Sequence, residues 1–309
     1  MHTPVLLKES IEFLNIKPDG VYFDCTAGGG GHSEEIAKRL SSEGVLVCLD
    51  MDRDAILRVK ERLQGFKCKK YFFHKNFKDI DEVAEETGLV GSVNGILADL
   101  GTSMFQLKDF ERGFSFMGEG ELDMRMDTDS AFSAKDVVNT YPENKLASIF
   151  KEYGEERLAK KIARMIVEER KVSPIKSTSR LSEIAVRAYG GRKSKIHPAT
   201  RIFQAIRIEV NKELDNLKVF LEKSVDIVCK GGRIVVISFH SLEDRIVKNF
   251  FRDKAKKCIC PESQMRCTCG GNNAIVKVLT KKVIRPADEE VKNNPASRSA
   301  RLRACEKVV

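Results

Sequence analysis

The residues with the clearest chemical potential form a glycine-rich turn. Residues 28–31 are four consecutive glycines, which follow a short apolar run ending in Asp24 and precede a helix-like segment starting at His32. Such a turn between a strand and a helix lets a ligand approach the backbone closely. Because four glycines cost much chain entropy, a purely structural turn is disfavoured. We therefore expect a nucleotide or nucleoside ligand here.

Three ligand classes compete for this turn. A P-loop ends in Gly-Lys-Ser/Thr, whereas here Gly31 is followed by His32 and Ser33. A dinucleotide fingerprint counted from Gly28 fails at its third glycine, where Ser33 stands. The third ligand, S-adenosylmethionine, has no phosphate, and Asp24 could pair with its ammonium group but would repel a pyrophosphate. The sequence therefore favours S-adenosylmethionine.

Two further carboxylates end predicted strands. Asp50 ends the next strand and could hold ribose hydroxyls, although an acidic residue there also suits NAD. Asp99 closes a later strand in ILADLGTS. Because the carboxyl ends of parallel strands face the ligand crevice, Asp99 could accept a hydrogen bond from the cofactor or from a substrate amine. The alternative for Asp99 is a loop or helix-capping role.

The stretch ISFHSLEDR places more polar residues at a strand end. Ser238, Phe239 and His240 fall where a substrate could meet the cofactor, although a lone histidine is more often structural. Ser241 and Asp244 have the spacing of a helix cap, which is a sufficient structural role for both. No Ser/His/Asp set occurs at a recognisable spacing, so a hydrolase is not predicted.

Four of the nine cysteines are clustered as two Cys-x-Cys pairs. Cys258 and Cys260 precede Cys267 and Cys269, with Pro261 close by. Four thiols could hold a tetrahedral zinc ion, but Cys-x-x-Cys is the usual spacing, so free thiols and redox chemistry stay open. The other five are expected to be free thiols: Cys25, Cys48, Cys68, Cys229 and Cys305.

A basic segment lies in the middle of the chain. The 309-residue protein has a formal net charge of +9. Residues 187–207 include Arg192, Lys193 and Lys195 and contain no acidic residue. This pattern is typical of a surface that contacts nucleic-acid phosphates, with a solvated charged face as the alternative.

Hydrophobic periodicity predicts an interrupted α/β fold. Apolar runs at 21–25, 45–49, 71–73 and 93–97 alternate with helical patterns at 32–40, 54–63 and 79–86, which indicates a doubly wound parallel sheet. Residues from about 106 to 207 show mainly helical patterns. Strand patterns resume at 233–238, 274–279 and 300–306, and residues 285–299 look like a loop.

We therefore predict a doubly wound, Rossmann-like sheet with an inserted helical domain. The predicted boundaries are 1–105 and 209–309 for the two parts of the sheet domain and 106–208 for the insertion. Without a secretory signal or a membrane-spanning run, the expected location is cytoplasmic and no membrane partner is expected. The oligomeric state is left open, with a homodimer among the alternatives.

Several long motifs resemble one known family. They are, in chain order, HTPVLLKE, FDCTAGGGGHS, ADLGTS, ERGFSFM, LDMRMD, YGEERLAKKIAR, HPATRIFQAIRIEVN and ISFHSLEDRIVK. Together they resemble the bacterial 16S rRNA (cytidine-N4)-methyltransferases, the RsmH or MraW family. The resemblance implies a class I methyltransferase that uses S-adenosylmethionine. It also implies methylation of the N4 amine of a P-site cytidine in the decoding centre of 16S rRNA, within the small ribosomal subunit, with the insertion recognising rRNA.

The resemblance also implies site residues. The expected cofactor contacts are Gly30, Gly31, His32, Asp50, Phe77, Asp99 and Gln106. For catalysis the hypothesis is that Asp99, or a group from Ser238 to His240, accepts a hydrogen bond from the target amine, and that Phe239 stacks on the base. Two departures from general methyltransferase patterns are Thr26, in place of a first glycine, and Asp99-Leu-Gly, in place of the Asn/Asp-Pro-Pro-aromatic stretch of DNA amino-methyltransferases.

Other function classes stay open at the level of the residues alone. One is a nicotinamide-dependent oxidoreductase, against which Ser33 and Asp24 argue. Another is a non-catalytic RNA-binding protein with a zinc hairpin, against which the glycine turn and Asp50 argue. Among methyltransferases, DNA and small-molecule substrates also remain possible.

Overall fold

The computed structural model describes residues 4–191, 196–261, 264 and 266–309. The predicted phosphate-binding residues Arg192, Lys193 and Lys195 lie outside these ranges. The chain forms two compact units, one made of Met1–Gly101 and Leu214–Val309 and the other of Thr102–Glu213. The predicted boundaries at 105 and 208 lie a few residues from these, within the helices Met104–Lys108 and Thr200–Asn211.

The first unit contains a seven-stranded sheet in the order β3-β2-β1-β4-β5-β7-β6. The strands are β1 (Val21–Asp24), β2 (Val45–Asp50), β3 (Lys69–His74), β4 (Val93–Asp99), β5 (Val228–Ser238), β6 (Val276–Val278) and β7 (Arg301–Lys307). Strands β1 to β5 are parallel, and β7 runs antiparallel to both β5 and β6. The predicted doubly wound α/β fold is therefore confirmed.

Both faces of this sheet are covered, which explains the nearly continuous apolar runs of its strands. Tyr22 and Leu46 belong to one hydrophobic core, and their chain neighbours Phe23 and Val47 belong to the other. Successive side chains of a strand point to opposite faces, so β1 and β2 each contribute to both cores. The strand order reverses between β1 and β4. In α/β sheets a ligand usually binds at the carboxyl ends of the strands at such a point.

The helices of the first unit surround this sheet. They are α1 (Leu7–Leu14), α2 (Gly31–Ala37), α3 (Arg53–Arg62), α4 (Ile80–Glu86), α11 (Glu213–Ile227, whose first residue belongs to the second unit), α12 (Ser241–Lys254) and α13 (Asp288–Asn293). The prediction of a loop over 285–299 was wrong, because α13 and a 3₁₀ helix at Pro295–Ser299 occupy most of it. Three acidic residues in the first turn of α13 stabilise the helix, because its N-terminal end carries the positive end of the helix dipole.

The second unit is helical over its described residues. Its helices are α5 (Met104–Lys108), α6 (Ala134–Thr140), α7 (Glu143–Glu152), α8 (Ala159–Val172), α9 (Thr178–Tyr189) and α10 (Thr200–Asn211). The long irregular stretch before α6 is tied to α10 by the buried Asn211, whose amide accepts from Met126 N (2.8 Å) and donates to Met124 O (2.7 Å). Within the described residues of the whole chain, the helices are too short or too polar to cross a membrane.

Candidate active site

The glycine turn adopts a conformation that its residue types permit. Gly28 and Gly30 have φ angles of +51° and +77°, in the left-handed region that favours glycine. A side chain at Gly28 would meet only Thr26 O, at 3.7 Å, so the space above this glycine is open. The Gly28 N–H donates to Asp50 Oδ2 at 2.8 Å, which links the turn to the end of β2. The turn therefore presents half-buried backbone at Gly28 beside a carboxylate.

The N-terminal segment packs against the same turn. A Cβ atom on Gly31 would lie 2.2 Å from Pro4 Cγ, so glycine is required there for close packing. His32 Nε2 lies 3.1 Å from Val5 O, and because a carbonyl only accepts, this nitrogen is the donor. Leu6 N donates to Glu290 Oε1 (2.9 Å), which joins this segment to α13. The motif HTPVLLKE drew attention to the N-terminal segment. Its contact with the turn could not be predicted, because the two are far apart in the sequence.

Thr26 links the ends of β1 and β4. Its hydroxyl oxygen accepts a hydrogen bond from Asp99 N at 2.6 Å. This bond accounts for a threonine at the position where related turns often have glycine. The hydroxyl holds the chain end that carries Asp99 against the glycine turn.

Three carboxyl groups end three neighbouring strands. Asp50, Asp24 and Asp99 are the last residues of β2, β1 and β4, which lie side by side. Burial raises the pKa of Asp24 and of Asp50 from 3.8 to about 6. Burial, with the nearby Asp24 and Glu243, holds the pKa of Asp99 well above its usual range. A site of this kind favours a cationic ligand and disfavours a pyrophosphate.

Asp24 itself lies too deep for the predicted contact with a ligand ammonium group. Its side chain is only 1% exposed. One carboxylate oxygen accepts from Ser33 Oγ (2.5 Å) and the other from Thr26 N (3.3 Å). The burial and these two hydrogen bonds argue against that contact and give Asp24 a second role, as a support of the turn that also adds to the negative potential of the site.

Asp99 is the most reactive candidate of the three. Its Oδ1 is buried and has no hydrogen-bond partner among the residues that the structure describes, whereas its Oδ2 lies 3.7 Å from His32 Nδ1. A buried polar atom without a partner is costly and is a feature of functional sites. His32 is buried between Asp99 and Val5 O, so it positions this carboxyl group.

The loop after β5 has a different arrangement from the predicted one. The cap of α12 is formed by His240 and Glu243, not by Ser241 and Asp244. Glu243 Oε2 accepts from Phe239 N (2.9 Å) and His240 N (3.3 Å), and Glu243 Oε1 lies 3.2 Å from His240 Nε2. Asp244 instead pairs with Arg303, at 2.6 Å. His240 is therefore held in a helix cap, and Glu243 supports this loop beside Asp99, which the H-x-x-E spacing could have revealed.

Ser238 ends β5, directly after Ile237, which pairs with Asp99 of β4 in the sheet. It is buried, and its hydroxyl donates to Arg301 O (3.3 Å) on the neighbouring strand β7. This placement argues against the predicted contact of Ser238 with a substrate. Phe239 lies beside Gly101, where a Cβ atom would be 3.6 Å from its ring, so this aromatic side chain borders the end of β4.

The last two predicted cofactor residues lie in different units. Phe77 follows β3, and its ring packs edge-on against Phe220 at a centroid distance of 5.2 Å. Gln106 belongs to the second unit, where it is buried and forms a capping box with Ser103 at the start of α5. The first unit therefore brings together Gly30, Gly31, His32, Asp50 and Asp99 around the turn.

Comparisons with known proteins identify the family of this chain. Residues 1–308 match the model of the MraW methylase family. The chain is 51% identical over 310 residues to Ribosomal RNA small subunit methyltransferase H of Clostridioides difficile (strain 630), covering 99% of each protein. It is 52% identical over 307 residues to the protein of the same name in Fusobacterium nucleatum, covering 99% of this chain and 97% of that protein. The chain therefore belongs to the MraW methylase family.

Proposed function

We propose that this protein is an S-adenosylmethionine-dependent methyltransferase that modifies the N4 amine of a P-site cytidine in 16S rRNA. The observation that carries the proposal is the row of strand-end carboxyl groups at Asp24, Asp50 and Asp99 beside an open glycine turn. The relatives from Clostridioides difficile and Fusobacterium nucleatum are both named Ribosomal RNA small subunit methyltransferase H, which supports an rRNA substrate.

The residues around the turn fit this cofactor. S-adenosylmethionine, when bound, supplies an electrophilic methyl group on a positively charged sulfur. Backbone at Gly28, where a side chain would find open space, allows close approach of a nucleoside. Asp50 has two accepted backbone hydrogen bonds, from Gly28 N and Asp52 N, and a carboxylate has further lone pairs for ribose hydroxyls. The positive charge of S-adenosylmethionine suits a cluster of carboxyl groups. The negative phosphates of a dinucleotide would be repelled by the same cluster.

The chain must also activate a weak nucleophile. The lone pair of a cytosine N4 amine is delocalised into the ring, so the enzyme has to align the amine and polarise an N–H bond. Asp99 Oδ1, which has no hydrogen-bond partner within the described residues, is placed to accept that hydrogen bond. His32 and the Thr26–Asp99 bond hold this carboxyl group in position. Phe239, beside Gly101, offers an aromatic face for a base that has left its stack.

The proposal is tested by a mapped methyl-transfer assay. Purified protein, S-adenosylmethionine with a tritiated methyl group, and small ribosomal subunits from cells lacking the protein are incubated together, and the labelled rRNA is digested and mapped. We expect label at N4 of one decoding-centre cytidine. Parallel reactions with naked 16S rRNA identify the accepted form of the substrate.

Three results would contradict the proposal. Absence of S-adenosylmethionine binding would exclude this cofactor and revive a nicotinamide-dependent oxidoreductase, which NADH absorbance detects. Cofactor binding without label on either rRNA substrate would point to DNA or a small molecule. Label on another atom or nucleotide would overturn the assignment of the target.

A further inference from the structure

Four cysteine side chains converge in the segment between α12 and β6. The Sγ atoms of Cys258, Cys260, Cys267 and Cys269 all lie within 4.8 Å of one another. Cys258 Sγ is 3.6 Å from Cys267 Sγ and 3.7 Å from Cys269 Sγ, and Cys267 Sγ is 3.5 Å from Cys269 Sγ. Two short pairs that are separated in sequence therefore form one compact sulfur cluster.

These distances match one kind of sulfur site. Zinc–thiolate bonds of about 2.3 Å in a tetrahedron place the sulfurs about 3.8 Å apart. A disulfide requires about 2.05 Å, and all four cysteines are free. In an iron–sulfur cluster several iron atoms separate the ligating thiolates, so the four sulfurs would not be in mutual contact. The geometry therefore favours a single tetrahedral ion.

The backbone of the segment supports charged sulfurs. Ile259 N donates to Cys269 Sγ and Thr268 N donates to Cys260 Sγ, each at 3.4 Å. Such N–H groups stabilise thiolates and orient them, as the outer contacts of metal ligands do. Asn273 closes the base of the segment, with its Nδ2 donating to Lys257 O and Cys269 O, both at 3.1 Å.

The four clustered cysteines lie at the surface and not in the hydrophobic core. Cys258 and Cys267 are exposed and Cys260 and Cys269 are half-buried, unlike the buried core thiols Cys25, Cys48, Cys68 and Cys305. Four thiols in mutual contact at the surface contribute little to a hydrophobic core. They would also be prone to oxidation if they were unoccupied.

We propose that Cys258, Cys260, Cys267 and Cys269 bind one structural Zn²⁺ ion. Four protein ligands complete a tetrahedral shell and leave no position for water or substrate, so the site is structural and separate from methyl transfer. The ion fastens the segment between α12 and β6 by joining its two Cys-x-Cys pairs.

The metal content of the untagged protein tests this site. After gel filtration, elemental analysis should give one zinc per chain, and Cys267→Ser should lose most of it. Cys229→Ser is the matched control: it removes a thiol outside the cluster, where Asn94 Nδ2 contacts the sulfur at 3.5 Å. This control should keep one zinc per chain.

Cobalt and proteolysis give readouts that do not depend on the variant folding. Co²⁺ added to chelator-treated wild-type protein should produce the absorption bands of tetrahedral cobalt–thiolate, and Zn²⁺ should bleach them. Chelation should also accelerate tryptic cleavage within residues 256–266. A wild-type protein that binds neither ion with all thiols reduced would overturn the proposal. So would disulfides among these cysteines in protein purified under reducing conditions, or equal zinc loss in Cys229→Ser.

Discussion

At the scale of single residues, Thr26 connects the glycine turn to the candidate catalytic group. Its hydroxyl accepts the Asp99 N–H, which belongs to the end of β4. Thr26→Val has the same shape but no acceptor, so it should leave this N–H unsatisfied and cost about 1–3 kcal/mol of unfolding free energy. Thr26→Ser keeps the oxygen and should lie much closer to wild type. Urea unfolding measures both, and equal losses would contradict the role of this bond.

A substitution of Asp99 tests whether this residue acts in cofactor binding or in methyl transfer. Asp99→Asn keeps the size of the side chain and an acceptor oxygen but removes the carboxylate charge that would strengthen a hydrogen bond from the amine. If Oδ1 polarises the target amine, single-turnover methyl transfer should fall by about 10²–10⁴-fold, while S-adenosylmethionine affinity changes far less. Rapid-quench kinetics and equilibrium titration measure the two quantities. Weaker cofactor binding with an intact single-turnover rate would make Asp99 a cofactor residue only.

Asp24 should make the stability of the cofactor-free protein depend on pH. Burial raises its pKa from 3.8 to about 6, so the folded state holds this proton more tightly than the unfolded state. Its contribution to stability is therefore full below pH about 4 and falls as the pH rises to about 6, by up to about 3 kcal/mol.

Asp24→Asn removes this titration and can keep an acceptor for Ser33 or Thr26. The unfolding free energy of wild type relative to this variant should therefore decrease across that pH window and stay level above it. Asp50 and Asp99 are present in both proteins, but Asp24 contributes to the raised pKa of each, so the difference between the two curves reports the titration of Asp24 together with its effect on these two neighbours. Parallel stability curves for wild type and variant would show that Asp24 does not titrate as described.

At the scale of elements, the glycine turn depends on the segment that precedes α1. Gly31→Ala would place Cβ 2.2 Å from Pro4 Cγ, so the N-terminal segment should move away from α2. We expect a loss of about 1–3 kcal/mol of stability and weaker binding of S-adenosylmethionine. Thermal unfolding and cofactor titration measure these effects.

Two further variants make that test specific. Gly65→Ala is the matched control, because a Cβ atom there meets nothing within 4 Å, and it should behave as wild type. Pro4→Ala removes the atom nearest the clash, so combining it with Gly31→Ala should recover part of the loss. A Gly31→Ala protein that resembles the Gly65 control would show that the segment does not constrain the turn.

The elements themselves were largely predictable because their signals are local. The seven strand patterns and most helices follow from apolar periodicity, and α9 spans residues 178–189 as predicted. The helix α13 was missed because its six residues are mostly polar and none is buried, so no apolar stripe marks it. The cap of α12 was misplaced by one residue, because Ser241 is a common capping residue and histidine is not.

At the scale of the whole molecule, the net charge of +9 favours a polyanionic partner. Within the basic segment, Arg187 pairs with Glu169 and Arg207 with Glu213, at 2.6 and 2.8 Å. These partners reduce the charge that either arginine offers to a phosphate. Arg192, Lys193 and Lys195, which have no acidic neighbours in the sequence, are therefore the better candidates for phosphate contacts.

Neutralising all three residues to glutamine tests that prediction. Binding to 16S rRNA should weaken, and the slope of log affinity against log salt concentration should become shallower by about 2–3, because each lost phosphate contact removes about 0.7–0.9. Filter binding over a range of salt concentrations measures the slope. Replacing the exposed Lys60, Lys67 and Lys69 of the first unit applies the same charge change elsewhere and should affect the slope less. An unchanged slope in the first variant would contradict the prediction.

Features that depend on neighbours along the chain could be predicted from the amino-acid sequence alone. These are the alternation of strands and helices, the glycine turn, the strand-end aspartates and the two Cys-x-Cys pairs. Tertiary structure decided the contacts between residues far apart in the chain: Thr26 with Asp99, Pro4 with Gly31, and the meeting of four sulfurs. It also decided that Asp24 is buried, while Asp99 Oδ1 has no hydrogen bond from the described part of the chain. Burial and pairing depend on what packs against a residue, which periodicity alone does not encode.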